Sequence, residues 1–403
     1  MTQWLEIVGM PEAGPDALSP QARALVERAR TIVGVSRRLA GLAGAKRTLV
    51  AWDGDLTDMV GRIIGYRGSP TVLLASGDPN WFGIGATLGR YLEPEEFGLH
   101  PAPSSFQLAA ARLHWPMQNT VTLSLHGRPV AALHPHVLPG NRVLALTSDA
   151  RTLIDAADLL CRRGYGKSRL TILENLGGAD ERLSSGTADA ADTFATGDFF
   201  VLGIDCVADA GAPLLPPVPG LDDAAFETDG QLTKREVRAA TLARLAPYPG
   251  ALLWDVGAGS GAIAIEWMRA ARDARAIAFE RDMSRCALIS RNRVALGVPG
   301  LELVPGEAPQ SLVDQPRPDA LFLGGDVANP ALFEACWQAL KPVGRLVANG
   351  VTLDAEAALF ARQARLGGEL TRISVETLDR IGGERVLRPR LAVTQWTVTK
   401  EGE

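Results

Sequence analysis

The sequence predicts two successive α/β domains, and three features carry that expectation. With 403 residues the chain is long enough for two or three hydrophobic cores. Residues 210–220, Ala210-Gly-Ala-Pro-Leu-Leu-Pro-Pro-Val-Pro-Gly220, hold four prolines in eleven positions, which neither a helix interior nor a central strand accepts. On both sides of that tract, short apolar runs alternate with helix-length amphipathic stretches, the pattern of sheets covered by crossover helices. The expected organisation is a domain over 1–209, a proline-rich linker over 210–220 and a second domain over 221–403.

Upstream of the linker, apolar runs predict strands over 5–9, 31–34, 71–75, 121–125, 143–147, 169–173 and 199–204, with amphipathic helices over 20–29 and 150–163. Downstream, strands are expected over 252–256, 276–279, 301–304, 320–323 and 345–348, with a helix over 262–271. The two halves share no motif order.

Composition narrows the function. Apolar residues make up 46% and charged residues 22%, close to globular averages, so disorder, collagen and coiled coil fit poorly. The net charge of −5 and pI near 5.7 argue against nucleic acid as a partner. No uncharged apolar run reaches membrane-spanning length, and Glu6 stands where a signal peptide would be apolar, so a cytoplasmic location is expected. The four cysteines are too scattered for a redox or zinc pair and read as reduced thiols. Of 41 basic residues only five are Lys. Guanidinium groups suit paired contacts to carboxylates, although Arg-rich codon usage gives the same bias. All five histidines precede the linker, so the second domain works without imidazole. His134-Pro-His136 lacks an adjacent Cys, Asp or Glu to complete a site, and no metal is expected.

Trp254-Asp-Val-Gly-Ala-Gly-Ser-Gly261 places glycines at 257, 259 and 261 between an apolar strand and a helix, which lets a ligand approach the backbone at a helix N-terminus. The same pattern satisfies a relaxed dinucleotide fingerprint. Glu280, about twenty residues on at the end of the next strand, can accept ribose hydroxyls of either cofactor. Asp255, just before the glycines, would repel a pyrophosphate but could hold an ammonium. No His and only Tyr248 are available for hydride-transfer acid–base work. These features favour a sulfonium methyl donor over a nicotinamide, and Gly306-Glu307-Ala308 falls where a third strand would complete its site. In the first half, Leu74-Ala-Ser-Gly-Asp-Pro-Asn-Trp-Phe-Gly-Ile-Gly85 and Pro101-Ala-Pro-Ser-Ser-Phe-Gln-Leu-Ala-Ala-Ala-Arg112 each read as a strand end, a tight polar turn and a helix with a small-residue face.

Residues 220–398 resemble the C-terminal, class I methyltransferase part of precorrin-6Y methyltransferases of cobalamin biosynthesis. The specific segment is Asp229-Gly-Gln-Leu-Thr-Lys-Arg-Glu-Val-Arg238, with Trp254–Gly261 and Gly306-Glu-Ala-Pro309 beside it. Residues 4–206 are similar to the tetrapyrrole methylase family in its carbon-5 branch, through the two segments above, Ser124-Leu-His-Gly-Arg128 and Leu173-Glu-Asn-Leu-Gly-Gly-Ala-Asp-Glu-Arg182. The family usually opens with G-x-G-P-G, whereas this chain reads Gly9-Met-Pro-Glu-Ala-Gly14.

The resemblance implies a two-lobed class III tetrapyrrole methylase domain followed by a Rossmann-like class I domain, with one S-adenosylmethionine site in each. It would place Thr233, Asp255, Gly257, Ala258, Gly259, Ser260, Gly261, Glu280, Glu307 and Ala308 at the second site. Pro11, Ser76, Gly77, Asp78, Trp81, Ser104, Ser105, His126 and Asn175 would lie at the first. Lys234, Glu236 and Arg238 would act on the substrate, with Lys234 and Arg238 one turn apart on a shared helix face; the alternative is a solvated first helical turn. Asp78-Pro79 equally suits a turn start, Ser104-Ser105 a helix cap and His126 a structural hydrogen bond. The implied reaction methylates precorrin-6Y, a polycarboxylate tetrapyrrole, at carbons 5 and 15 and removes the acetate carboxyl at carbon 12, giving precorrin-8X. A homo-oligomer is expected. Methylation of another tetrapyrrole, and non-catalytic sensing, are the remaining alternatives.

Overall fold

The computed structural model describes residues 3–39, 42, 47–52 and 56–402. They form two compact units: 1–130 with 139–212, and 131–138 with 213–403. The units are therefore not strictly successive along the chain. Gly297, at φ +81°, explains the excursion: a Cβ there would lie 2.5 Å from Pro135 Cδ and 2.7 Å from His134 Cβ, so the 131–138 segment seats on a bare glycine turn of the second unit.

The first unit holds two sheets. One is wholly parallel, with strands β1 (Leu5–Met10), β2 (Thr31–Gly34), β3 (Thr48–Ala51), β4 (Thr71–Ser76) and β5 (Phe97–His100) in the order β3-β2-β4-β1-β5. Helices α1 (Pro20–Arg28), α2 (Ser36–Leu39), α3 (Leu56–Ile64) and α4 (Ile84–Leu88) connect them. The other sheet is mixed: β6 (Thr120–Ser124), β7 (Arg142–Leu146), β8 (Arg169–Glu174), β9 (Arg182–Thr187) and β10 (Phe200–Asp205), ordered β6-β7-β10-β8-β9, with α5 (Ser105–Leu113) and α6 (Ala150–Arg162). Ser104 caps α5 through a reciprocal pair, its Oγ accepting from Gln107 N–H at 3.3 Å while Gln107 Oε1 accepts from Ser104 N–H at 2.8 Å.

The second unit is a seven-stranded sheet, ordered β13-β12-β11-β14-β15-β19-β16. Strands β11 (Leu252–Val256), β12 (Arg275–Glu280), β13 (Glu302–Pro305), β14 (Ala320–Leu323) and β15 (Arg345–Gly350) run parallel, while β19 (Val393–Thr399) is antiparallel to both β15 and β16 (Glu369–Ile373). A hairpin of β17 (Glu376–Ile381) and β18 (Glu384–Pro389) stands apart from the sheet. Helices α7 (Arg235–Leu245), α8 (Ala262–Ala270), α9 (Met283–Ala295), α10 (Pro330–Ala339) and α11 (Leu353–Leu366) cover it. Every residue of β11 is buried, as a central strand with helices on both faces requires. Three large rings anchor this core with their N–H groups satisfied: Trp254 Nε1 donates to Pro316 O, Trp267 Nε1 to Arg275 O and Trp396 Nε1 to Gly367 O, all at 3.0–3.1 Å. Among the described residues, no helix is long and apolar enough to cross a membrane.

Candidate active sites

In the second unit a cleft of about 290 Å³ opens at the carboxyl ends of β11, β12 and β14, where an open α/β sheet takes its ligands. Gly257, Gly259 and Gly261 all have left-handed φ, at +75°, +61° and +79°. A Cβ on Gly257 would sit 2.9 Å from Gly325 N, so only glycine lets the turn pass beneath the β14 loop. Glu280 ends β12 with 5% of its surface exposed; its Oε2 accepts from Gly259 N–H at 2.8 Å and its Oε1 from Asp282 N–H at 3.0 Å. The carboxylate thus fixes the glycine loop and faces the cleft at once. Thr233, Gly257, Ala258, Gly259, Ser260, Glu280, Glu307 and Ala308 line the cleft, and Gly261 is the N-cap of α8 behind it.

Gln231, Arg281, Arg285 and the Gly324-Gly-Asp326 turn also line it and were not among the expected cofactor contacts. Arg285 donates to Asp229 Oδ2 at 2.8 Å and Gln231 Oε1 at 2.6 Å, which draws the 229–233 segment over the cleft. That link joins residues more than fifty positions apart, so no local motif announces it.

Asp255 differs from expectation. It is 1% exposed and lies under the glycine loop rather than in the cleft wall; its Oδ2 accepts from Ala264 N–H at 3.0 Å, while its Oδ1 is buried without a hydrogen-bond partner. Burial, with a smaller contribution from the nearby Glu280 charge, pushes its pKa up to about 7. Direct capture of an ammonium by this carboxylate is therefore not what the geometry offers.

Arg238 is corrected outright. Its side chain is 0% exposed: Nε donates to Glu266 Oε1 at 2.5 Å, Nη1 to Asp223 Oδ1 at 3.0 Å and Thr233 O at 2.5 Å, and Nη2 to Leu221 O. With its donors engaged and the cleft on the far side of the 231–233 segment, it cannot clamp a substrate. Lys234 is the N-cap of α7 rather than part of its first turn, and its Nζ lies 3.6 Å from Asp223 Oδ2. Glu236 is exposed on that turn, and none of the three lines the cleft.

The first unit carries a larger cleft, about 520 Å³, lined by Ser76, Asp78, Trp81, Ser104, Ser105, His126 and Asn175 among others. Several of these also have structural duties: Asp78 Oδ1 accepts from Asn80 N–H at 2.8 Å, His126 Nδ1 is 3.2 Å from Thr147 O, and Asn175 holds φ +48°. Gly77 lies behind the wall, at φ +62°, where a Cβ would come within 3.1 Å of Ser104 Cα; its role is to let two loops touch. Pro11 is likewise outside the lining, its carbonyl accepting from Arg38 Nη1 at 2.7 Å. Phe82, Phe199, Glu12 and Arg37 also line the cleft and were not among the expected cofactor contacts.

Comparison with known proteins matches a family to each unit. Residues 5–192 match the family described as Tetrapyrrole (Corrin/Porphyrin) Methylases, and residues 224–400 the family described as Precorrin methyltransferase domain. A precorrin-6Y C(5,15)-methyltransferase [decarboxylating] from Sinorhizobium is 48% identical over 99% of this chain and 97% of its own length. One of the same name from Mycobacterium tuberculosis is 40% identical over 98% of this chain and 99% of its own. Among solved structures, the C-terminal domain of precorrin-6Y C5,15-methyltransferase from Rhodobacter capsulatus is 40% identical, covering 46% of this chain and all of that one, with a TM-score of 0.44. With full-length similarity that spans both clefts, the chain belongs to the family of decarboxylating precorrin-6Y C(5,15)-methyltransferases.

Proposed function

We propose that the chain is a bifunctional S-adenosylmethionine-dependent methyltransferase of cobalamin synthesis. Starting from precorrin-6Y, the first unit methylates carbon 5 and the second methylates carbon 15 and removes the acetate carboxyl at carbon 12, in either order, giving precorrin-8X. The observation that carries this is similarity over nearly the whole chain to relatives of that name, with one cleft inside each unit.

The residues present suit the cofactor. In the second unit the left-handed glycine turn brings bare backbone to the cleft at Gly257 and Gly259, and Glu280, already oriented by two backbone N–H groups, keeps lone pairs for ribose hydroxyls. When bound, S-adenosylmethionine supplies an electrophilic methyl group on a positively charged sulfur. The remaining work falls to positioning and dryness: the 229–233 segment, tied down by Arg285, covers the cleft, and the Gly324-Gly325 turn closes its side. An electron-rich ring carbon brings its own nucleophilicity, which fits a cleft without an imidazole.

The test is to incubate the full chain with isotope-labelled S-adenosylmethionine and precorrin-6Y and weigh the product. Two added methyl groups and the loss of one carbon dioxide are expected; a product without these changes ends the proposal. Within it, Glu280→Ala should weaken one of two cofactor-binding events at least about tenfold in calorimetry of the full chain. It removes charge-assisted bonds of roughly 1.5–3 kcal/mol each and frees the glycine loop as well. Two unchanged binding events would mean that Glu280 serves the loop alone.

A further inference from the structure

Three side chains at the mouth of the first unit's cleft have no part in the cofactor contacts described above. Glu12 occupies the loop where relatives usually have a glycine-rich turn. Its Oε1 accepts from Arg37 Nη1 at 3.1 Å, and its Oε2 is in close contact with Arg38 Nη2. The two arginines differ sharply. The Arg38 side chain is 8% exposed, bonds to Pro11 O as well, and has a buried Nε without a partner. The Arg37 side chain is 52% exposed, and its guanidinium carbon lies 5.4 Å from the ring centroid of Phe199, itself 74% exposed. Glu12, Arg37 and Phe199 all line the large cleft, while Glu12, Arg37 and Arg38 also line a second hollow of about 200 Å³ beside it.

A largely exposed aromatic ring with a guanidinium packed over it is the complement of a flat, apolar ring system that carries carboxylates. Arg37 already holds a carboxylate while stacked on that face, and the carboxylate is the protein's own. Exposed ion pairs contribute little net stability, so Arg37 can leave Glu12 cheaply. Glu12 would not then be orphaned, because Arg38 stays. Two other arginines are less free: Arg238 is enclosed, and Arg112 is bound in fork geometry to Glu181 at 2.5 and 3.0 Å.

We propose that Glu12 and Arg37 form a carboxylate-exchange pair, in which Arg37 passes from Glu12 to a side-chain carboxylate of the tetrapyrrole while the macrocycle's face rests on Phe199. Glu12 thereby competes with the substrate and sets how many carboxylates a ligand must bring. This rests on the tetrapyrrole function proposed above.

The test uses the full chain and three variants, with KM and kcat for methylation at carbons 5 and 15 read separately by product mass. Glu12→Gln should lower the carbon-5 KM at least about threefold, because a competitor is removed. Arg37→Ala and Phe199→Ala should each raise it about tenfold, and carbon-15 methylation and S-adenosylhomocysteine affinity should stay unchanged. A raised KM or weakened cofactor binding in Glu12→Gln would overturn the exchange, leaving Glu12 as a loop brace. A change of oligomeric state in Phe199→Ala with normal KM would overturn the docking face. If the wild-type chain fails to methylate precorrin-6Y, the proposed function fails by itself. The exchange is then judged by uroporphyrin fluorescence titration, where it demands the same order, with Glu12→Gln binding tightest and Arg37→Ala and Phe199→Ala weakest. Any other order overturns it.

Discussion

Replacing Arg238 with methionine is expected to cost about 3–5 kcal/mol of stability, read as a lowered urea midpoint of the second unit. The guanidinium is fully enclosed and paired with Glu266, which is 2% exposed. Breaking such a pair from one side leaves a buried charge without its counterpart. Glu266 would keep its bonds from Gly220 and Leu221 N–H, at 2.5 and 3.2 Å, which argues for the lower end of that range. The substitution also removes cation–π contact with Phe226, whose ring centroid is 4.8 Å from the guanidinium carbon. The consequence reaches function through the chain that Arg238 ties together. Leu221 and Thr233, both bonded to it through their carbonyls, bracket the segment whose end, 231–233, walls the cleft. Cofactor affinity should therefore fall along with stability, opposite to the behaviour of a residue that touches only substrate. Arg235→Met, on the exposed side of the same turn, is the control and should shift stability by no more than about 0.5 kcal/mol. Normal stability and cofactor affinity with slowed carbon-15 chemistry in Arg238→Met would restore Arg238 to the substrate site.

The contrast between Arg238 and the glycine loop marks what a sequence makes legible. Glu280 and the three glycines are related by a strand, a turn and a helix, so local spacing places them on one cleft. Helical spacing relates Lys234 to Arg238 only if both are inside the helix, and α7 begins at Arg235. Spacing also says nothing about which face meets the core. Buried runs were legible as strands: β2, β11 and β14 have the expected bounds, because an uninterrupted apolar segment ends where the core ends. Most of the missed strands are marginal in pattern, although β19, buried between β15 and β16, is not. β9 reads Arg-Leu-Ser-Ser-Gly-Thr at a sheet edge, β5 is half-buried throughout, and β17 and β18 are charged, largely exposed strands of a hairpin. Glu12 and Phe199 both reach Arg37 and line one cleft only because the first unit's fold brings their loops together. Nothing near either residue in sequence records that.

Asp255→Asn should stabilise the second unit at neutral pH and leave it unchanged in acid. The folded-state pKa of Asp255 is raised from 3.8 to about 7 by burial, so between those values the folded protein holds a proton that the unfolded chain has released. Stability then falls as pH rises, because the unfolded state binds fewer protons there. The loss begins near pH 4, grows by about 1.4 kcal/mol per unit and levels off above pH 7 at as much as ~4 kcal/mol. Asparagine can still accept from Ala264 N–H and carries no charge, so its advantage over Asp255 should be small at pH 5, larger at pH 7 and constant beyond. Urea titrations at those three values and at pH 8 check the slope; parallel curves for the two proteins would place the Asp255 pKa near its ordinary value. A carboxylate that destabilises its own fold beneath a ligand cleft points to a use for its charge. Ionised, Asp255 supplies a negative field under a cationic cofactor without touching it. The more stable asparagine variant should accordingly bind S-adenosylmethionine several-fold more weakly at pH 8, and the difference should narrow at pH 6, where most Asp255 is already neutral.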